Sequence, residues 1–101
     1  RRRWRMDRAL SMLGLCARAG RLATGEPATV AAIRSKAARL AVLDENAGPN
    51  TRKSVTDACR THNVPLFAAR DVGKAVGKPG RMAVAVLDEG FARRIAELFQ
   101  A

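Results

Sequence analysis

The chain has 101 residues, of which 48% are hydrophobic, and it carries 19 Lys and Arg against 9 Asp and Glu, a formal net charge of +10. This length corresponds to one domain. The hydrophobic share is sufficient for a packed core, which excludes a wholly disordered chain. No apolar run approaches the roughly 18–20 residues that a membrane span requires, so a transmembrane protein is excluded as well.

The positive charge is concentrated in the first part of the chain. Residues 1–39 carry a net charge of +8, whereas residues 40–101 carry only +2. A basic domain with its charge on one part is typical of proteins that bind polyanions, and arginine, which dominates here, suits phosphate. The charge therefore predicts nucleic-acid binding. The alternative is a soluble domain with a basic tail.

Cysteine and histidine are too sparse for a disulfide framework or a metal site. Cys16 and Cys59 stand far apart in sequence, and His62 is the only histidine. Both cysteines have small or apolar neighbours on predicted helices, where a free thiol behaves as a small core residue. The sequence therefore predicts no metal or other cofactor, and a reducing, cytoplasmic location.

The first half of the chain predicts two helices around a weak strand. An apolar stripe at helical spacing predicts a helix over Met6–Ala19, and Gly20 follows as a left-handed cap. We expect residues 1–5 to form a basic N-terminal extension and residues 6–101 to form a single domain. Arg21–Ala23 is a candidate edge strand, and a helix with Pro27 at its first position follows as far as Lys36.

The second half alternates short apolar strands with helices. Strands are predicted at Leu40–Leu43, Val64–Phe67 and Met82–Leu87. Helices are predicted over 49–62, Asp71–Val76 and 89–99, the last of them capped by Asp88. This order is typical of an α/β domain in which helices cover both faces of a small sheet.

Two acidic pairs follow predicted strands and are the only candidates for acid–base chemistry. Asp44-Glu45 and Asp88-Glu89 stand where α/β proteins often place functional groups. No Ser, Lys or His accompanies them in a nucleophile arrangement, and helix capping explains such carboxylates as well. Capping is the favoured interpretation, so the sequence does not predict an enzyme.

A loop rich in glycine and cations is the first candidate binding segment. The stretch 72–81 holds three glycines and three cations, but Pro79 stands where a Walker loop would need Ser or Thr. Glycines allow close approach to a ligand and the cations suit phosphate, so an RNA-contacting loop and a plain connector both remain open. The candidate residues in this loop are Gly73, Lys74, Lys78 and Arg81.

A turn that leads into the second helix is the other candidate segment. Thr24, Gly25 and Glu26 lie at the N-terminus of that helix, where free backbone N–H groups favour anions. Neighbouring cations predicted to contact phosphates around it are Arg18, Arg21, Lys36 and Arg39. The alternative is an ordinary capped helix. The only tryptophan, Trp4, stands between two arginines, and packing on the first helix is favoured over stacking on a base.

Three phrases of the sequence resemble a known family. They are Leu13-Gly14-Leu15-Cys16-Ala17-Arg18-Ala19-Gly20-Arg21-Leu22-Ala23-Thr24-Gly25-Glu26, then Ala38-Arg39-Leu40-Ala41-Val42-Leu43-Asp44 with Asn50-Thr51-Arg52-Lys53, and finally Val72-Gly73-Lys74-Ala75-Val76-Gly77-Lys78. Together they are similar to the bacterial YlxQ-like proteins, in the superfamily of the archaeal ribosomal protein L-seven-Ae. The resemblance covers residues 9–96 and implies a three-layer α-β-α sandwich around a four-stranded mixed sheet.

The resemblance also implies non-catalytic binding of structured RNA, often the sharply bent kink-turn, in the transcription and translation machinery. Relatives carry a Gly-x-Asn-Glu-x-x-Lys phrase at the second helix. Gly25 matches its glycine, but Pro27, Ala28 and Ala31 replace the Asn, Glu and Lys. We therefore expect a less selective or different RNA target.

The sequence leaves open two alternatives to simple RNA binding and a fusion with a second domain. The superfamily fold also docks proteins, and it also serves as the RNA-recruiting domain of larger RNA-modifying enzymes, so both roles are alternatives to simple RNA binding. The chain begins with Arg1 rather than Met. Its arginine-rich start suits the C-terminal part of a fusion with a YlxR-like domain.

Overall fold

The computed structural model describes residues 2–100, with side chains from Arg3 onward. Its five helices and four strands alternate along the chain as the sequence predicts. The helices are α1 (Arg2–Arg18), α2 (Glu26–Arg34), α3 (Pro49–His62), α4 (Val72–Ala75) and α5 (Glu89–Gln100). The strands are β1 (Leu22–Thr24), β2 (Leu40–Asp44), β3 (Leu66–Ala69) and β4 (Ala83–Val86).

The four strands form one mixed sheet in the order β1-β4-β2-β3. β4 pairs antiparallel with both of its neighbours, whereas β2 and β3 are parallel. Every residue of the two central strands is buried. Strands that are covered on both faces require continuous apolar runs, which is why Leu40–Leu43 and Met82–Leu87 are the clearest strand signals in the sequence.

Helices cover both faces of this sheet, which confirms the three-layer α-β-α fold. On one face α2 and α3 bury Ile33 and Val55 against the sheet. On the other face α1, α4 and α5 bury Leu13, Val72 and Ile95. No helix among residues 2–100 combines the length and the apolar character needed to cross a bilayer.

Some element boundaries differ from the prediction for physical reasons. α1 begins at Arg2 rather than Met6, because arginine favours helix even where it adds nothing to an apolar stripe. Part of the predicted basic extension is therefore helical, while residue 1 lies outside the described residues. β3 begins two residues after Val64, because Pro65 has no N–H to donate and contributes only its carbonyl, which accepts from the Ala41 N–H at 2.9 Å.

The aspartate of each acidic pair acts as a cap. Asp44 is buried, and its two carboxylate oxygens accept the backbone N–H groups of Asn46 at 2.8 Å and Val72 at 3.0 Å. It therefore caps α4 rather than the helix that follows it in sequence. Asp88 accepts the Phe91 N–H at 2.9 Å and caps α5 as predicted.

Strand direction divides the molecule into two edges. We name the Thr24 edge as the one where β1, β2 and β3 end and β4 begins. The Arg21 edge is the opposite one, where β1, β2 and β3 begin and β4 ends. Because α2 and α3 run back from the Thr24 edge, the N-termini of both helices lie there.

Candidate nucleic-acid interface

The structure brings the two candidate binding segments together at the Thr24 edge. Arg81, at the end of the glycine-rich loop, donates from Nη1 to the carbonyl of Thr24 at 3.3 Å. Two residues further on, the carbonyl of Ala83 accepts the Gly25 N–H at 2.8 Å. The start of α2 and the loop that precedes β4 therefore form one continuous surface, which we call the Thr24–Arg81 surface.

Gly25, whose N–H donates to Ala83, has a backbone conformation that other residues rarely adopt. Its φ of 91° and ψ of 159° lie in a region that is essentially restricted to glycine. A Cβ at this position would come within 2.5 Å of Arg81 Nη1. Gly25 is buried beneath the Arg81 side chain, so a ligand that approaches α2 here meets the guanidinium before it meets the Gly25 backbone.

The glycine-rich loop differs from the prediction at Gly73. This residue is buried, and a Cβ on it would lie within 2.9 Å of the backbone of Lys78 and Arg81. The close approach that glycine permits is therefore made by the loop's own backbone, not by a ligand. Lys74, Lys78 and Arg81 are exposed, so the compact turn presents all three predicted cations to solvent.

Thr51, which was not among the predicted site residues, holds the side chain of Glu26 in place. The Thr51 hydroxyl, in the first turn of α3, donates to Glu26 Oε1 at 2.6 Å. Next to it, Arg52 Nη2 donates to the carbonyl of Glu45 at 2.9 Å. Asn50-Thr51-Arg52-Lys53 is one of the phrases that carry the family resemblance, and that phrase was the signal available for finding them.

The other predicted cations lie elsewhere, which corrects the expectation that they surround this surface. Arg21 and Arg39 flank the end of β4 at the Arg21 edge. The Arg21 carbonyl accepts a hydrogen bond from the Leu87 N–H at 2.9 Å, and the Val86 carbonyl accepts one from the Arg39 N–H at 2.7 Å. Lys36 follows the C-terminus of α2 at the same edge. Arg18, at the C-terminal end of α1, directs its guanidinium back toward Gly14 beside Ala75 of α4.

The physical reason is the length of the intervening elements. β1 separates Arg21 from Gly25, and the nine-residue α2 separates Glu26 from Lys36. At about 3.3 Å per strand residue and 1.5 Å per helical residue, each element carries the chain across roughly 10–14 Å. Proximity in sequence therefore does not become proximity in the fold.

The buried thiols take no part in this surface. Burial raises the pKa of Cys16 to about 11, with a further increase from Asp88 and a partly opposing effect from Arg21. Burial alone raises the pKa of Cys59 to about 11. Residues 2–100 contain no group of three or more His, Cys, Asp or Glu side chains arranged to hold a metal ion.

Comparison with protein-family models decides the family. Residues 7–96 match the model of the ribosomal protein L7Ae/L30e/S12e/Gadd45 family, which is nearly the whole chain. The chain belongs to this family. The L7Ae-family match confirms the resemblance found in the sequence, whereas the fusion with a YlxR-like domain stays a prediction.

Two curated relatives resemble the chain over almost their full length. The RNA-binding protein YlxQ of Enterococcus faecium is 36% identical over 97 residues, which cover 93% of each chain. The RNA-binding protein YlxQ of Bacillus subtilis is 39% identical over 90 residues, covering 86% of this chain and 90% of the relative. Both relatives are named for binding RNA, which agrees with the prediction that this L7Ae-family chain is not an enzyme.

Two solved structures share the fold. A Bacillus halodurans protein, described as having unknown function, superposes with a TM-score of 0.86 at 36% identity, covering 92% of this chain and 97% of its own. The Giardia lamblia 15.5kD RNA binding protein superposes with a TM-score of 0.74 at 16% identity, covering 94% and 85%. The second match supports the L7Ae-family fold alone.

Proposed function

We propose that this protein binds structured RNA without catalysing a reaction, and that the Thr24–Arg81 surface is its main contact. The observation that carries the proposal is the hydrogen bond from Arg81 to Thr24, which joins a helix N-terminus to a cationic loop. Backbone N–H groups at a helix N-terminus and an arginine fork are both suited to phosphate. The family membership, the +10 charge and the names of the relatives support the same role.

The face of α2 beside this surface favours a less selective or different target over the kink-turn. Pro27, Ala28 and Ala31 are all exposed on α2, so these three positions offer small apolar groups and no side-chain donor to a base edge. Base edges are read by polar side chains, whereas phosphates need only charge and backbone N–H groups. We propose a ribosomal RNA in the cytoplasmic translation machinery as the target class.

The test is the salt dependence of binding to a hairpin fragment of ribosomal RNA with an internal loop. Each neutralised phosphate steepens the fall of log K against log salt by roughly 0.7–0.9. We expect K78A/R81A to weaken binding roughly tenfold and to reduce the slope by about two units. The matched control is R93A/R94A on α5, which also removes two exposed cations, one of which pairs with Glu97 at 3.4 Å.

Two outcomes would reject the proposal. One is no binding at micromolar protein in low salt, and the other is an affinity that does not change with salt. A protein partner that the chain retains after RNase treatment, and after charge reversal of Lys78 and Arg81, would favour the protein-interaction alternative. A kink-turn hairpin and the same hairpin with its loop closed by paired bases should bind within about tenfold of each other, because Pro27, Ala28 and Ala31 stand where relatives carry base-reading side chains.

A further inference from the structure

The first turns of α1 present an aromatic side chain to solvent beside several cations. Trp4 is 56% exposed, although large apolar side chains are normally covered. Arg8, one turn further along, places its guanidinium carbon 5.0 Å from the centroid of the Trp4 ring. The predicted packing of Trp4 on α1 therefore includes Arg8, which covers one face of the indole, while more than half of the residue's surface stays exposed to solvent.

Helix geometry explains why the core does not use this side chain. The residues that α1 buries are Ala9, Leu13 and Cys16. At 100° per residue, Trp4 lies roughly 120–180° around the helix from these three residues, and Arg8 and Leu15, which is 45% exposed, lie within about 40° of Trp4. No packing requirement within the domain accounts for a tryptophan there.

This part of α1 lies at the same edge of the sheet as the Thr24–Arg81 surface. α1 ends at Arg18 just before β1 begins, so its N-terminus lies toward the Thr24 edge. A groove there joins the first turns of α1 to the loops that follow β2 and β3. Its lining residues are Arg3, Met6, Asp7, Leu10, Glu45, Arg70 and Asp71.

We infer that the uncovered face of Trp4 is a stacking site for an unpaired nucleotide of the bound RNA, with Arg8 and Arg3 available to its phosphates. Indole is a strong stacking platform for any base, and a guanidinium on its other face adds a cation–π contact. A nucleotide also supplies negative charge to Arg3 and Arg8, whereas Arg70 in the neighbouring groove already pairs with Glu45 at 3.6 Å. The inference rests on the proposed RNA binding, and it adds recognition of single-stranded segments to it.

The sequence provides its own probe, because Trp4 is the only tryptophan and there is no tyrosine. The probe RNAs are one hairpin with a tail of about six unpaired adenosines and the same hairpin without the tail. We expect the tailed RNA, and not the blunt one, to quench Trp4 fluorescence as it binds. Trp4→Ala should weaken binding of the tailed RNA about 5- to 100-fold, whereas Trp4→Phe should keep most of the affinity.

Leu15→Ala is the matched control, because it removes the other exposed apolar side chain of the same helix face. It should leave both affinities unchanged. Unchanged Trp4 fluorescence while anisotropy reports binding of the tailed RNA would overturn the inference and leave the proposed function intact. An equal loss for both RNAs in Trp4→Ala would also overturn it. Absence of any RNA binding in low salt would reject the proposed function itself.

Discussion

The Thr51 hydroxyl and the Glu26 carboxylate join the first turns of α3 and α2 through a hydrogen bond of 2.6 Å. A hydrogen bond to a charged acceptor that is partly buried contributes about 1.5–3 kcal/mol. The bond therefore has a structural role that is separable from RNA contact.

Thr51→Val should lower the free energy of unfolding by about 1–2 kcal/mol, because valine keeps the shape of threonine and removes the donor. Thr51→Ser should restore most of this loss, since serine keeps the hydroxyl. Thr61→Val serves as the control, because Thr61 is an exposed threonine near the other end of α3. Urea unfolding measures all three, and equal stabilities for Thr51→Val and Thr61→Val would show that the bond contributes nothing.

Gly25→Ala should destabilise the protein by at least about 2 kcal/mol. The φ and ψ of Gly25 are adopted by essentially no other residue, and the new Cβ would also displace Arg81 from Thr24. Gly20→Ala is the comparison, because Gly20 has a φ of 73° and no atom lies within 4 Å of the place that its Cβ would take. It should cost only about 1 kcal/mol. Chemical denaturation of the two variants would contradict this account if Gly20→Ala were the more damaging.

Asp44 should matter more to stability than Asp88, although both cap helices. The buried Asp44 carboxylate satisfies two backbone N–H groups, one of them the buried Val72 amide. Asp44→Ala leaves both without an acceptor, so we expect a loss of about 2–4 kcal/mol, against about 1 kcal/mol for Asp88→Ala at an ordinary N-cap. Thermal and urea unfolding give the order, and a smaller effect at Asp44 would show that water replaces the carboxylate.

The layered fold could be predicted from the sequence because its strongest signals are local. The short, continuous apolar runs at β2 and β4 fit buried strands better than helices, and caps such as Gly20 and Asp88 mark helix ends directly. Strand β3 begins two residues later than the sequence predicts, because Pro65 provides a carbonyl and no N–H donor. Helix α1 begins earlier than predicted. The arginines of its first turn favour helix, but they form no apolar stripe that a sequence pattern could detect.

The candidate site was harder to predict because it depends on strand order. The contact between Thr24 and Arg81 follows from the antiparallel pairing of β1 with β4, which no local pattern specifies. The extended backbone of β1 places Arg21 at the opposite edge, although it stands only four positions before Gly25. Thr51 was missed because its partner Glu26 lies in another helix.

The raised pKa values of the two cysteine thiols predict how the free energy of unfolding depends on pH. Both have a folded-state pKa of about 11 against an ordinary value of 9.0. Between pH 9 and 11 the unfolded chain therefore loses these protons while the folded protein keeps them. Their contribution is fully present below pH 9 and falls as the pH rises, by up to about 1.4 kcal/mol per pH unit for each thiol.

Urea unfolding at pH 8 and pH 10 should show this loss in the natural sequence and a smaller one in C16A/C59A. The double variant controls for lysines, which titrate over the same range. In the folded protein at pH 8, both thiols should react with a disulfide reagent far more slowly than in denaturant, because the thiolate is the reactive form. Fast reaction of the folded protein would contradict the raised pKa values.

The cations at the Arg21 edge should affect only RNAs that reach both edges of the sheet. Arg21, Lys36 and Arg39 are exposed and, among the described residues, none lies within 4.0 Å of an acidic side chain. β1 separates Arg21 from the Thr24–Arg81 surface by about 10 Å, and α2 separates Lys36 from it by about 14 Å. R21Q/K36Q/R39Q should therefore leave binding of a single hairpin nearly unchanged, because that hairpin is held at the other edge.

For the same hairpin extended by a second stem, the variant should reduce the salt slope by about two to three units. Fluorescence anisotropy across a salt series distinguishes the cases, and an equal loss for both RNAs would mean that one hairpin already contacts both edges.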